Sequence, residues 1–236
     1  MKIIILSISQ YKEKDAIVTS MSPTGKLTFI VKGIFDPKSR NAQLNNPMTV
    51  IDAEFVEGEY QYPVLKRFMM LTAPLKNTGD YLYLSTILIL GEITNKIVQD
   101  EEYAPLYEWL FKGLESLEEK KNYFDILLIY TANVLRTSGY EFEVNRCVMC
   151  GSNKNIIAFS FQDGGFLCKN CLEENEKRDL SKSQMLLIRE VFNAKSYDLS
   201  NIKYDQEDAK VLMRKFYEFI NDMFSTKINN ILMLNN

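Results

Sequence analysis

The sequence predicts an α+β fold, in which a small N-terminal β-barrel is followed by an all-helical domain with an inserted four-cysteine knuckle. Three observations lead to this prediction. Short apolar runs rich in β-branched residues alternate with turn residues over the first 75 positions, which is typical of strands. From about Tyr81 apolar residues recur every three to four positions, which is typical of helices. All four cysteines lie in two C-x-x-C pairs.

Five apolar runs supply the strands of the predicted barrel. Pro23 and Gly25 lie between the second and third runs, where proline presets φ and glycine accepts the positive φ of a hairpin turn. Because several short antiparallel strands would otherwise leave exposed sheet edges, we expect them to close into a barrel. The predicted strands are Ile3–Ile8, Ala16–Met21, Leu27–Val31, Met48–Phe55 and Val64–Leu71.

The second half of the chain is predicted to be mainly helical. Ser181 and Gln184 have the spacing of a capping box, and Gly139 suits the C-terminus of a helix. Helices are predicted from about Tyr81 and over Pro105–Leu117, Tyr123–Ser138, Ser181–Ala194 and Gln206–Phe224.

A domain boundary is predicted where the strand pattern changes to the helix pattern. Pro74 and Gly79 mark this change, because both residues interrupt regular structure. The expected domains are therefore residues 1–78 and 79–236, and the knuckle occupies about 144–175 of the second domain.

The composition supports a substantial core and argues against several classes of function. Of the 236 residues, 46% are apolar, which suffices for two packed units. No uninterrupted apolar run reaches about 18 residues, and no cleavage-site pattern follows residues 1–6, so we expect a cytoplasmic protein without membrane association. The absence of histidine removes the usual proton shuttle and any histidine-dependent triad. We therefore expect no enzyme activity and no catalytic residues.

The net charge of −3 conceals a gradient along the chain. Residues 1–50 carry seven basic and three acidic side chains, whereas residues 51–125 carry seven basic and fourteen acidic ones. The two signs balance, at fourteen each, over residues 126–236. Since affinity for nucleic acid depends on cations that neutralise phosphates, we expect any phosphate-binding surface in the first segment.

The paired cysteines are the most specific motif in the sequence. Each C-x-x-C turn can place two sulfurs on one metal, and a hairpin between Ile156–Phe161 and a return strand at Phe166 would bring the two turns together. We expect a closed, structural zinc site, because four thiolates leave no position open for catalysis. Iron held by four thiolates, a metal-free knuckle and redox-active cysteines are the alternatives. The predicted ligands are Cys147, Cys150, Cys168 and Cys171.

A polar, positively charged stretch follows the third predicted strand, between Val31 and Pro47. Its cations, together with neutral donors such as Asn41, could follow a phosphate backbone while Phe35 stacks on a base. The same stretch taken alone is also typical of a solvated surface loop, although lysines on neighbouring predicted turns favour the binding interpretation. The candidate nucleic-acid-binding residues are Lys32, Lys38, Arg40, Lys12, Lys14 and Lys26.

Taken together, these residues resemble the RecO family of bacterial DNA repair and recombination mediator proteins. Only the knuckle is specific by itself, and the order and spacing of the other segments carry the resemblance. The matching segments are 11–18, the turn at Gly25, 31–33, 38–40, 138–140, and the knuckle with its hairpin at 147–168.

The resemblance implies an N-terminal OB-fold and a helical domain with an inserted zinc knuckle. It also implies a protein that binds single- and double-stranded DNA, anneals complementary strands and works with a RecR-type partner to load RecA onto DNA covered by single-strand binding protein. The family's basic barrel patch corresponds here to Lys32, Lys38 and Arg40. This chain departs from the family in being acidic overall, so its affinity for DNA alone is expected to be weak and to depend on the partner.

Two other classes of function are compatible with the sequence. The pI of about 5.3 favours an interaction scaffold that binds proteins through the barrel and helices and never touches DNA. An iron site in the knuckle would instead indicate electron transfer, and its absorption of visible light would reveal it.

Overall fold

The fold was obtained as a computed structural model. The protein chain forms two compact units, Met1–Lys120 and Lys121–Asn236. Among the described helices, none is both long and apolar enough to span a membrane. The structure describes residues 1–57, 61–74, 79–119, 122–172 and 179–231.

Five strands form a closed barrel in the first unit, and they span Lys2–Gln10 (β1), Ala16–Ser22 (β2), Gly25–Val31 (β3), Val50–Val56 (β4) and Val64–Thr72 (β5). Their order around the barrel is β1-β2-β3-β5-β4. Residues 2–4 of β1 pair with β4 and residues 4–10 pair with β2, while one parallel pairing joins β3 to β5. This five-stranded closed architecture is that of an OB-fold. The predicted barrel and all five predicted strands are confirmed.

Alternating apolar side chains fill the inside of the barrel. Ile3, Val18 and Phe29 come from three successive strands, and each is fully buried in the same core cluster. Burial of each such side chain stabilises the fold by about 1.5–3 kcal/mol. A short 3-10 helix, Arg40–Leu44, follows β3, and its Leu44 is fully buried in the same cluster. The connection from β3 to β4 is therefore fixed to the barrel core at that point.

Two helices belong to the same compact unit as the barrel. They are α1 (Tyr81–Ile97) and α2 (Tyr103–Glu118). The hydroxyl of Tyr107 in α2 donates a hydrogen bond of 3.1 Å to the carbonyl oxygen of Lys2 in β1. The change from strand to helix lies near the expected boundary at 78/79, whereas the first compact unit continues to residue 120 because these helices pack on the barrel.

Three helices pack together in the second unit, α3 (Tyr123–Thr137), α4 (Lys182–Asn193) and α5 (Gln206–Phe224). Helix α5 begins and ends at the predicted residues. The predicted capping box of α4 is also present, because the Ser181 hydroxyl accepts the backbone N–H of Gln184 while the Gln184 side chain accepts the backbone N–H of Ser181.

A three-stranded sheet carries the knuckle, with strands Glu143–Cys147 (β6), Ile156–Ser160 (β7) and Gly165–Cys168 (β8) in the order β6-β8-β7. The antiparallel pairing of β7 with β8 is the predicted hairpin. The parallel pairing of β6 with β8 was not predicted, since β6 is short and mostly polar. Residues 173–175, at the end of the predicted knuckle segment, lie outside the described residues.

A close backbone approach at Gly165 predicts a clear mutational effect. A Cβ atom at this position would lie 2.4 Å from the carbonyl oxygen and 3.0 Å from the nitrogen of Glu143. Gly165→Ala should therefore push β6 away from β8 and lower the free energy of unfolding of the second unit by about 1–3 kcal/mol, as overpacking does. Urea unfolding measures the change. Gly79→Ala is the control, because a Cβ there meets no atom of the described residues within 4 Å. Equal stability of the two variants would contradict the prediction.

A buried carboxyl group predicts how stability changes with pH. Asp125 is 7% exposed, and its burial raises the pKa even though hydrogen bonds from Tyr204 and the backbone N–H of Leu199 oppose the rise. A raised pKa in the folded state means that the stability linked to this group is present at low pH and is lost as pH rises through the folded pKa. Asp125→Asn should flatten this part of the decline when urea unfolding is measured at increasing pH, starting from about pH 4. An unchanged slope would contradict the assignment.

Candidate metal centre and nucleic-acid interface

The four predicted metal ligands form one cluster of sulfur atoms. All four Sγ atoms lie within 4.8 Å of one another, and those of Cys150 and Cys168 are 3.7 Å apart. Four thiolates around a tetrahedral zinc, with Zn–S distances of about 2.3 Å, would have their sulfurs about 3.8 Å apart. The cluster therefore has the dimensions of a four-thiolate metal site.

Strand pairing and tight turns position the four sulfurs. Cys147 ends β6 and Cys168 ends the neighbouring strand β8, and both are buried. The turn that carries Cys150 is closed by a 2.8 Å hydrogen bond from Gly151 N–H to the Cys147 carbonyl, with Gly151 at a φ of 74°. Glycine adopts this left-handed conformation without steric cost. In the second turn, the N–H of Cys171 donates to the Cys168 carbonyl at 3.0 Å.

The pKa values of the cysteines in the cluster indicate a site that a bound cation would stabilise. Burial would raise the pKa of Cys147, but backbone N–H groups of Cys168, Cys150 and Met149 outweigh it and lower that pKa to about 6. At Cys171 the hydrogen bonds with Cys150 and Cys168 raise the pKa to about 12. The Cys147 thiol therefore ionises readily, whereas the Cys171 thiol resists ionisation when no cation is bound. A bound divalent cation removes this conflict and deprotonates coordinating thiols.

The chemistry of the donor set limits what such a site can do. Four protein thiolates complete a tetrahedron and leave no coordination position for water or substrate, so the arrangement fits a structural site. Soft thiolate donors suit zinc, and they also suit iron. The cluster is compatible with zinc.

Two connections lie against each other at one end of the barrel. They are the β1–β2 loop, residues 11–15, and the β3–β4 connection, residues 32–49. The backbone N–H of Phe35 donates to the carbonyl of Lys14 at 3.1 Å, and that of Gly33 donates to the Asp15 carboxylate at 2.8 Å. Five of the six candidate cations belong to these connections, and we call this surface the basic barrel end. It comprises Lys12, Lys14, Lys32, Lys38 and Arg40.

Lys14 and Arg40 each make contacts within the barrel. The Lys14 ammonium forms an ion pair of 2.9 Å with Asp36. Arg40 donates to the carbonyl oxygen of Phe68 at 3.1 Å, and its guanidinium lies 5.2 Å from the centre of the Phe68 ring. Arg40 therefore links the β3–β4 connection to β5, and its substitution would alter the barrel as well as its charge.

The three remaining cations are lysines at the surface of the basic barrel end. Lys12, Lys32 and Lys38 are exposed, and the Lys12 ammonium lies 5.3 Å from the centre of the exposed Tyr11 ring. Exposed lysines of this kind can meet phosphate groups of a nucleic-acid backbone. Lys12 belongs to the β1–β2 loop and Lys38 to the β3–β4 connection, so substituting both lysines tests both connections of the basic barrel end.

Lys26 does not belong to this group. It begins β3 beside the β2–β3 turn, whereas the basic barrel end lies beyond the other end of β3. Six residues of extended strand separate Lys26 from Lys32, which is about 20 Å. The Lys26 ammonium is also ion-paired with Asp100 at 2.9 Å. The six predicted cations therefore do not form a single surface, because sequence proximity does not indicate which end of a strand a residue occupies.

The aromatic residues differ from the sequence-based interpretation. Phe35, the expected stacking residue, is partly buried and packs against the barrel core. Tyr11 is 43% exposed in the β1–β2 loop, and sequence reasoning missed it. Its position beside Lys12, in a loop between two strands, is the signal that could have identified it. Tyr11 is accordingly the better candidate for stacking on a base.

An acidic loop adjoins the same end of the barrel. The N–H of Ile30, near the end of β3, donates to the Pro63 carbonyl at 2.9 Å, so the β4–β5 connection reaches the basic barrel end. Its sequence contains Glu57 and Glu59 and no lysine or arginine. Glu59 lies outside the described residues, and Glu57 is exposed. The carboxylate of the exposed Glu57 reduces the positive potential on this side of the surface.

Comparisons with known proteins agree with this architecture. The family model for the C-terminal part of recombination protein O matches residues 78–222, and the model for its N-terminal part matches residues 1–68. The DNA repair protein RecO of Oceanobacillus iheyensis is 24% identical over 226 residues, covering 92% of this chain and 84% of that protein. The DNA repair protein RecO of Halalkalibacterium halodurans is 23% identical over 227 residues, covering 91% and 87%. A Bacillus cereus protein of the same name is 24% identical over 222 residues, covering 91% and 89%.

Proposed function

The chain belongs to the RecO family of DNA repair proteins, and from this membership we propose that it is a recombination mediator that binds DNA and promotes the annealing of complementary strands. In this role it helps a RecR-type partner load the recombinase RecA onto DNA covered by single-strand binding protein. The proposal involves no bond-making step, so it assigns no catalytic residues. A protein with these partners would work in the cytoplasm.

The observation that carries the DNA-binding part of the proposal is the basic barrel end. The loops of OB-folds are a common place for oligonucleotides to bind. Here two such connections are held together by hydrogen bonds and present three exposed lysines, with Tyr11 available for stacking. Lysine–phosphate contacts hold a strand without reading its sequence, which annealing requires. The same surface would take single- and double-stranded DNA through their backbones.

Affinity for DNA alone should be modest. Lys14 is already paired with Asp36, and the exposed Glu57 belongs to the β4–β5 connection, which reaches this end of the barrel at Pro63. A small number of cations means that few counterions are released on binding, and counterion release supplies most of the non-specific affinity. We propose that a RecR-type partner adds its own basic surface, so that tight binding belongs to the complex.

The knuckle contributes stability in this proposal. We assign its metal as zinc, held by all four cysteines, because closed four-thiolate sites are typical of structural zinc. The metal would fix β6, β7 and β8 together. It takes no part in contacting DNA.

Fluorescence anisotropy with a labelled single-stranded oligonucleotide tests the proposal, with and without the RecR-type partner. We expect weak binding by the chain alone, tighter binding with the partner, and faster annealing of complementary strands in its presence. Colourless protein with one zinc per chain is the expected result of metal analysis. No anisotropy change in either condition would contradict DNA binding and identify an interaction scaffold.

A further inference from the structure

The second unit contains an open groove that the proposed DNA-binding function does not use. Its volume is about 1120 Å³, and it lies between the knuckle and the C-terminal half of α5. Residues from the knuckle, from the β7–β8 turn and from α5 line it. No nucleic-acid-binding residue proposed above contributes to it.

Aromatic side chains form the floor of this groove. The Phe219 ring of α5 lies 5.6 Å from that of Tyr140, 5.0 Å from that of Phe142 and 5.8 Å from that of Phe161, measured between ring centres. Phe142 is buried, while the other three are partly exposed, so ring surface is accessible from the groove. Such a floor can accept a flat or cationic group, since ring faces carry negative potential.

Two exposed methionines stand at the edges of the groove. Met149, in the first C-x-x-C turn, is 66% exposed, and Met223, near the end of α5, is 47% exposed. Covering apolar side chains this exposed with an apolar partner would lower the free energy, because it removes their surface from water. Methionine adapts its shape to different apolar partners and is frequent at protein-binding surfaces. The groove is therefore suited to a peptide with some apolar side chains.

The charges around the groove select the chemistry of that peptide. Five carboxylates line it against one lysine, among the residues that the structure describes. The lysine, Lys215, is ion-paired with Glu218 at 2.9 Å, and Glu141 is ion-paired with Arg136 at 2.9 Å. The three other lining carboxylates belong to Asp163, Asp179 and Asp222.

Asp163 and Asp222 give the described lining of the groove an excess of negative charge. Both residues are exposed, whereas the Asp179 carboxylate accepts the backbone N–H of Phe161 at 3.0 Å. A phosphate-bearing or acidic ligand would be repelled by this negative charge. A lysine or arginine side chain would gain both from the carboxylates and from the aromatic faces below them.

We propose that this groove docks a basic peptide segment of a partner protein, in which lysine or arginine alternates with apolar residues. The cationic heads lie between Asp163, Asp222 and the aromatic floor, and the apolar side chains cover Met149 and Met223. This site lies apart from the basic barrel end in the sequence and has the opposite charge. It binds protein, whereas the basic barrel end binds DNA.

A labelled peptide tests the proposal without any DNA. The probe is a short fluorescein-labelled peptide of alternating arginine and leucine, and a peptide with glutamate in place of arginine is its matched control. Fluorescence anisotropy with the full, metal-loaded chain should show binding of the arginine peptide and none of the glutamate peptide. Equal binding of both peptides, or binding of neither, would overturn the proposal.

Charge-reversal variants locate the binding. Asp222→Lys and Asp163→Lys should each weaken the arginine peptide by about fivefold, as expected when a favourable surface charge pair becomes repulsive. Glu207→Lys is the control, because it changes the net charge equally and lies 15 residues before Asp222 on α5, about 22 Å along the helix axis. Glu207→Lys should leave the affinity unchanged. A similar loss in all three variants would show attraction by net charge alone and would overturn the groove as the site.

Discussion

Replacing Cys147 with serine is expected to remove the metal and unfold the sheet that carries the knuckle. Cys147 is buried at the end of β6, and backbone N–H groups lower the pKa of its thiol to about 6. Structural zinc sites contribute on the order of 10 kcal/mol of binding free energy to folding. Total stabilities of domains are typically about 5–15 kcal/mol, so the loss is large enough to unfold the second unit.

Hydrogen exchange and metal analysis measure this effect. The wild-type chain should hold one metal ion and protect the amides of β7 and β8, whereas Cys147→Ser should hold less metal and lose this protection. Lys169→Ala is a matched control, because Lys169 is an exposed residue between Cys168 and Cys171 and is not a ligand. Full protection in the cysteine variant would contradict a structural metal. Chelation of the wild-type metal should reproduce the effect of the variant.

Reversing two lysines at the basic barrel end is expected to weaken binding of single-stranded DNA about 25-fold or more. Each lysine that neutralises a phosphate contributes about −0.7 to the slope of log affinity against log salt concentration. At 0.1 M salt this contribution raises the affinity about fivefold relative to 1 M salt. Lys12→Glu and Lys38→Glu together remove two such contributions and add repulsion. Both side chains are exposed, so the barrel core is left intact.

Lys26→Glu is the matched control for this experiment. It reverses a lysine on the same barrel that lies at the opposite end of β3 and is paired with Asp100. We expect it to change affinity for DNA only slightly, because exposed ion pairs contribute little and the site is remote. Equal losses from Lys26→Glu and from the double variant would show that DNA does not lie specifically at the basic barrel end.

The strands and helices could be predicted from the sequence because each has a strong local signal. Val18 and Phe29 belong to alternating β-branched and aromatic runs, and Ser181 with Gln184 marks the start of α4. The cysteine cluster was predictable for a similar reason, since C-x-x-C turns restrict the sulfurs locally. Such signals depend on residues close together in the chain.

The features that sequence reasoning missed depend on contacts between distant residues. Phe35 packs into the barrel core and Tyr11 remains exposed, although both are aromatic residues in loops. Lys26 lies near the other lysines in sequence but at the opposite end of a strand. The groove beside the knuckle needs both Tyr140 and Phe219, which lie in separate elements. No local pattern contains this information.

The salt dependence of single-strand binding tests the central claim most directly. The claim is that exposed lysines of the basic barrel end neutralise phosphates. The plot of log affinity against log salt concentration should be a straight line with a negative slope for the wild-type chain. The slope of the double variant Lys12→Gln, Lys38→Gln should be less steep by about 1.4, because two phosphate contacts are lost. A wild-type slope near zero, or a slope that the substitutions leave unchanged, would contradict DNA binding at this surface.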